Sequence, residues 1–269
     1  MQHFAFGTTN PTSLGGIYEA RSENLDLTWE TALKRNIGLD LRLFDGNLLN
    51  ITTDFFYENR KDILMQARSL LNTTGIPSPQ YNIGAVKNWG YEMELSHRKK
   101  LGEFEYALKG NYSFARNVIL NYDDPAGTPA YQKYAGYRIG QFRGYEVLGF
   151  FTSEEEIAKS PNQTTLGGPI IPGDLKYRDV NNDNQIDERD KVPIGYSRVP
   201  EIFYSFTPEV SWKGFTFNMM FQGAAHSSVF FTANAGYEFG GAAGGGQVTE
   251  TQLNYRTTML RVHSLQPLR

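Results

Sequence analysis

The sequence predicts an all-β fold: an antiparallel transmembrane β-barrel, present in part, with about six strands of a larger barrel and long extracellular loops. Three observations carry that prediction. Six stretches alternate apolar and polar residues with period two, each sustained for about ten residues and rich in aromatics. They are joined in pairs by very short turns. The remaining connections are long, and this two-sided asymmetry of turns and loops is the polarity of an outer-membrane barrel, periplasmic against extracellular.

Taken in chain order, residues 1–27 are polar and turn-rich (Asn10-Pro11, Gly15-Gly16) and read as a leading loop. A strand at about 28–44 sets Leu39, Leu41 and Leu43 against Lys34, Asn36, Asp40 and Arg42. After Asp45-Gly46-Asn47, a strand at about 47–65 sets Leu49, Ile51, Thr53, Phe55 and Tyr57 against Asn50, Thr52, Asp54 and Glu58. The next pair lies at about 86–99 and 103–121, turning at Lys100-Leu101-Gly102. Trp89, Tyr91, Met93 and Leu95 occupy one face of its first strand, and Phe104, Tyr106, Leu108, Tyr112 and Phe114 one face of its second. The third pair, at about 201–213 and 215–230, turns at Lys213-Gly214 and carries Tyr204, Phe206, Trp212, Phe215, Phe217 and Phe221. It follows a loop spanning 122–200. Residues 28–231 therefore read as one partial barrel. Residues 232–269 read as a Gly-rich loop (Gly240 to Gly246) and an atypical tail.

Composition bounds the alternatives. Only 40% of the 269 residues are hydrophobic and the mean hydropathy is −0.46, yet 14% are aromatic. No apolar run approaches the ~18 residues of a membrane helix. A barrel gives a low average with strong alternation because every second residue faces water. A soluble secreted β-sandwich that binds carbohydrate gives the same average and is the competing reading, but its core would favour Val, Ile and Leu over rings. A net charge of −3 excludes a broad nucleic-acid surface, and the absence of cysteine excludes disulfides, Cys-ligated metals and thiol nucleophiles. Met1 to Phe6 shows neither a basic nor an apolar signal region, so the chain is expected to begin inside a larger protein.

One segment has metal-ligand spacing. Asp179, Asn181, Asp183, Asp187 and Asp190 fall at positions 1, 3, 5, 9 and 12 of an EF-hand-like loop, with Gln185 offering its backbone carbonyl at position 7. Ca²⁺ takes six or more hard oxygens, and the loop supplies them. Ile186 fills the inward-packing position 8. Asn184 stands where Gly is usual, and Asn tolerates the left-handed conformation. Asp190 replaces the usual Glu, as in dockerin-like loops. The alternative is an Asn/Asp-rich turn whose side chains bond local backbone. The other candidates are weaker. The four His residues are scattered, and no nucleophile elbow or phosphate loop occurs, so no enzyme activity is expected. Asp123-Asp124 and Glu154 to Glu156 read as solvated loop acids. The aromatic run Tyr131, Tyr134, Tyr137, Phe142 and Tyr145 reads as loop packing, with substrate stacking as its other use.

In order, these motifs resemble the C-terminal half of the SusC/RagA-like TonB-dependent outer-membrane transporters. "NLDLTWETALKRNIGLDLRLFDGNLLNITTDFFYENRKDIL" (Asn24 to Leu64) resembles the family's "N-x-x-L-x-W-E … N-I-G-L-D … D-x-L" hairpin, and "NIGAVKNWGYEMELS" (Asn82 to Ser96) its "N-x-G-x-x-x-N-x-G-x-E" segment. "GQFRGYEVLGFFTSEEEI" and "PGDLKYRDVNNDNQIDERDKVPIG" resemble its long extracellular loop, and "FTPEVSWKGFTFNMMFQGA" the hairpin that follows. The resemblance implies a barrel of about 22 strands around a plug, in the outer membrane of a Bacteroidetes-type Gram-negative cell. It implies import of glycans or peptides, energy delivered by TonB, a SusD-like lipoprotein as lid, and outer-membrane lipid as surroundings. With no plug and six strands, this chain is expected to be inactive alone. Past Tyr255 the chain is basic and loses alternation where the family continues with strands, so residues 256–269 read as a frameshifted or truncated tail.

Overall fold

The computed structural model describes residues 3–6, 12–15, 24–44, 48–69 and 79–230. These fall into two compact units. The first is built on one antiparallel sheet. Its strands are β3 (Thr31–Leu43), β4 (Leu49–Gln66), β5 (Gln80–Leu101), β6 (Phe104–Asn121), β11 (Ile202–Trp212) and β12 (Phe215–Asn218), in spatial order β12-β11-β6-β5-β4-β3. A seventh, β13 (Phe221–Ala225), also pairs with β11. The sheet is not closed: β3 and β12 carry no further strand among the described residues.

Register fixes the two faces. Ile37, Phe55, Tyr91 and Phe114 lie in one row across four strands, and Leu39, Thr53, Met93 and Tyr112 in the next. Tyr91 lies near Phe55, Tyr112 and Phe114, with ring centroids 5.6–6.2 Å apart. The opposite face holds rows such as Asp40, Thr52, Glu94 and Asn111. A one-residue slip would exchange the faces, so the alternation read from sequence and the pairing agree. The apolar face stays bare: Ile37 is 73% and Phe215 80% exposed. A sandwich would bury that face under a second sheet, and within this unit none of the described residues forms one there.

The tight turns have a conformational cause. Gly102 turns β5 into β6 at φ 64°, and Lys213-Gly214 turns β11 into β12 with both residues at positive φ, the mirror-image geometry that matches strand twist. Gly90 has a different reason. A Cβ there would collide with the Phe114 carbonyl and the Phe56 ring, so only glycine lets β5 lie against β6 at that point.

Three details differ from the sequence reading. Strand β5 begins at Gln80, which shortens the expected 66–85 loop. Beyond Lys213-Gly214 the predicted single strand is two, broken at Met219-Met220. The leading loop contains β1 (His3–Phe6) and β2 (Thr12–Gly15), paired as a ribbon. Gly240 to Gly246 and residues 256–269 lie outside the described residues.

The second unit is largely the 122–200 loop, and it is folded. It holds β7 (Arg143–Gly144) paired with β10 (Val192–Pro193), β8 (Val147–Phe150) paired with β9 (Leu175–Tyr177), and the short helix α1 (Glu154–Lys159). Ser153 caps α1, its Oγ accepting the Glu156 amide at 3.2 Å. Phe151 (1% exposed) and Ile186 (0%) form its small core.

Candidate functional site

The Asp179–Asp190 loop is held by its own side chains. Asp179 accepts the Asn182 amide at 2.7 Å through Oδ1 and the Asn184 amide at 2.8 Å through Oδ2. Asn181 Oδ1 accepts the Asp183 amide, and Asp183 Oδ1 the Gln185 amide, each at 3.0 Å. Such Asx turns let Asn182 (φ 59°) and Asn184 (φ 63°) take the left-handed conformation, as expected for Asn184 at the usual glycine position. Ile186 is fully buried. Its amide donates to the Asn162 carbonyl at 2.8 Å, and the Asn162 amide donates to the Asn184 carbonyl at 2.9 Å, which bridges Gln185 to Asn162.

The far end of the loop is capped reciprocally. Asp187 Oδ1 accepts the Arg189 amide at 2.8 Å, and Asp190 Oδ2 accepts the Asp187 amide at 2.8 Å. Asp190 is fully buried, and its other oxygen accepts the Val180 amide at 2.9 Å. The Arg189 guanidinium lies between two of the predicted ligands, with Nη2 2.7 Å from Asp183 Oδ2 and 2.8 Å from Asp187 Oδ2. Its hydrogen bonds, first through the side chain and then through the amide, hold the Asp187 carboxyl below the usual carboxylate range. Hence the loop brings the predicted oxygens onto one turn but satisfies them internally. Among the described residues no three His, Cys, Asp or Glu side chains are grouped to hold a metal ion. The sequence reading counted oxygens and missed Arg189, although a cation inside a run of acids was the available signal.

The remaining candidates are structural ties. Asp123 accepts the Arg68 and Ser69 amides, which lower its pKa, Ser69 contributing most; Asp124 accepts the Tyr134 and Ala135 amides and pairs with Arg68 at 3.1 Å. Glu156 is held at about 2 by the Thr152 amide and hydroxyl and by Lys176. The aromatic run is packed locally. Tyr131 donates its hydroxyl to the Arg189 carbonyl at 3.0 Å, Tyr134 stacks on Tyr122, and Tyr145 lies against Tyr177. Burial pushes the Tyr131 and Tyr145 phenols up. His97 meets the Tyr106 hydroxyl at 3.0 Å and His226 the buried Glu201 at 3.2 Å, so neither joins a metal set.

The two-faced open sheet and tight turns are those of a membrane barrel wall, and residues 4–262 match the family described as TonB dependent receptor-like, β-barrel. The chain belongs to the TonB-dependent receptor β-barrel family. Two relatives from Formosa agariphila are similar to this family member. TonB-dependent receptor P26 is 28% identical over 83% of this chain and 23% of its own length, and TonB-dependent receptor P3 is 26% identical over the same shares. The chain thus spans under a quarter of these TonB-dependent receptors. Among solved structures, the RagAB peptide transporter aligns with a TM-score of 0.58 at 18% identity, covering 84% of this chain and 24% of that one. That likeness concerns the fold. The family is one of outer-membrane receptors, not of enzymes.

Proposed function

We propose that the whole protein carrying this chain is an outer-membrane importer of the SusC/RagA type, taking up peptides or glycans with energy from TonB beneath a SusD-like lipoprotein lid. This chain contributes a stretch of barrel wall and one folded extracellular loop, and it does not transport alone. The observation that carries the reading is the sheet itself: an apolar aromatic face, a polar charged face and two edge strands with no further partner among the described residues, arranged like a stretch of barrel wall. The name of the RagAB transporter, whose fold is similar, favours peptides over glycans. Deletion of the gene tests both halves. Cells lacking it should lose growth on an oligopeptide mixture or on a glycan as sole source, and the wild-type protein should fractionate with the outer membrane. Normal growth on every such source would sink the importer reading.

The same reading includes a calcium loop of Asp179, Asn181, Asp183, Gln185, Asp187 and Asp190, a weak site of the extracellular type. Its support is that the loop already has the left-handed turns and the buried Ile186 such a loop needs. Arg189 competes for two of the oxygens, so bound Ca²⁺ would require its guanidinium to leave Asp183 and Asp187. Calorimetric titration of the whole protein with CaCl₂ should show binding in the micromolar-to-millimolar range, lost in Asp179→Ala/Asp183→Ala and tightened in Arg189→Ala. No heat of binding in either wild type or Arg189→Ala would remove calcium from the account.

A further inference from the structure

The outer end of the β4–β5 hairpin stands clear of its neighbours. Pairing with β3 stops at Thr31–Lys61 and pairing with β6 at Ala85–Asn121, whereas β4 and β5 continue together to Gln66–Gln80. Over that last stretch the two strands have only each other in the ladder, and a lone two-stranded ribbon is marginally stable at best. The ribbon is also bent at its root. Register shifts flank Ile63, and Asp62 takes the left-handed conformation at φ 59°. Gly84 lies across from this bulge, where a Cβ would come within 3.0–3.1 Å of the Ile63 Cβ and carbonyl and of the Met65 sulfur.

Two ties of different chemistry hold this arm. The tie at the root is made by neutral amides. The Thr28 amide donates to Asn82 Oδ1 at 2.9 Å, and Asn82 Nδ2 donates to the Thr28 and Asp62 carbonyls at 2.8 Å each, so one side chain joins β5 to the segment before β3 and to the bulge. Asn24 Nδ2 adds a bond to the Gln80 carbonyl at 2.8 Å, and Asn121 Nδ2 one to the Ile83 carbonyl at 2.8 Å. At the end of the arm the tie is ionic. Asp123, just past β6, accepts the Arg68 amide at 2.7 Å and the Ser69 amide and hydroxyl at 2.9 Å. The Arg68 guanidinium meets Asp124 at 3.1 Å and lies 4.6 and 5.3 Å from the Tyr134 and Tyr122 ring centroids. This clasp joins the end of β4 to the exit of β6 and skips β5 between them. Charge-assisted bonds are about twice as strong as neutral ones, and these sit farthest from the bend, where a hold has the most leverage.

We propose that residues 62–69 and 80–84 form an arm hinged at the Asp62 bulge and held down by the clasp of Arg68 and Ser69 on Asp123 and Asp124, so that loss of the clasp lets the arm swing while the Asn82 tie keeps its root in place. The test uses the whole protein carrying this chain, on a cysteine-free background, with spin labels at Gln66→Cys in the arm and Leu95→Cys in the wall; the chain has no cysteine of its own. With the clasp intact, double electron–electron resonance should give one narrow distance. Asp123→Ala/Asp124→Ala should add a second population displaced by about 5 Å or more, which a swing of about 25° gives a point roughly 13 Å from its hinge at ~3.3 Å per residue. Arg68→Gln, which spares the Asp123 bonds, should add a smaller population at the same displacement. Asn82→Ala, with the clasp intact, should keep the single narrow distance. One narrow distance in Asp123→Ala/Asp124→Ala, or an equal displacement in Asn82→Ala, overturns the proposal, the second by placing the hold at the root. Should the double variant lack the heat-modifiable mobility of a folded barrel, Arg68→Gln decides alone: a second population supports the clasp, and a single narrow distance overturns it.

Discussion

At the scale of single residues, the structure puts tight constraints in the 122–200 loop. Asp190 is fully buried, and its two oxygens take the Val180 and Asp187 amides. Asp190→Ala strands two part-buried donors, at about 1 kcal/mol each. The expected outcome is local unfolding of the loop, seen as faster hydrogen exchange over 150–193 with the sheet unchanged; equal protection in mutant and wild type would refute it. Glu156 gives a pH dependence. Its carboxyl, ordinarily near 4.5, is held at about 2 by the Thr152 amide first, then the Thr152 hydroxyl and Lys176. A depressed folded pKa stabilises fully above about pH 4.5, and that contribution is lost as pH falls toward 2. Exchange protection at the start of α1, corrected for intrinsic rates, should weaken across that window, and Glu156→Gln should abolish the pH dependence.

Elements follow from alternation plus turn chemistry, and their weak points lie where two backbones approach. Gly90 is such a point, because an added Cβ meets the Phe114 carbonyl, which cannot rotate aside as a side chain would. Gly90→Ala should cost about 3 kcal/mol through forced separation of β5 and β6. The readout is the yield of heat-modifiable, folded barrel in the outer membrane, and an undiminished yield would contradict the close approach. The short elements of the long loop escaped sequence reading for a physical reason. Val147–Phe150 and Leu175–Tyr177 are too short to show a period, and they pair across a separation that no local pattern reveals.

For the molecule as a whole, the open sheet is the governing fact. Among the described residues β3 and β12 carry no further strand, and the face between them is apolar and largely exposed. Expressed by itself without detergent, the chain should therefore elute from size exclusion as aggregate, since both features recruit other copies. A monodisperse soluble monomer would contradict this expectation. The TonB-dependent receptor relatives are about four times longer than the stretch matched here.

Rows such as Leu39-Leu41-Leu43, Tyr91-Met93-Leu95 and Tyr112-Phe114 were legible from residue order alone, as were the turns at Gly102 and Lys213-Gly214. Period-two alternation and positive-φ turns are local properties, written within a few neighbouring residues, so sequence by itself determined the long paired strands β3–β6 and β11, their faces and the barrel class. The oxygens of the Asp179–Asp190 loop were legible in the same way. That Arg189 would lie between Asp183 and Asp187, that Asp190 would be sealed from solvent, and that Arg35 would share a row with Arg116 three strands away were decided by tertiary structure. Each depends on which distant segments pair and in what register, and that choice belongs to the free energy of the assembled sheet and loop rather than to any short stretch of chain.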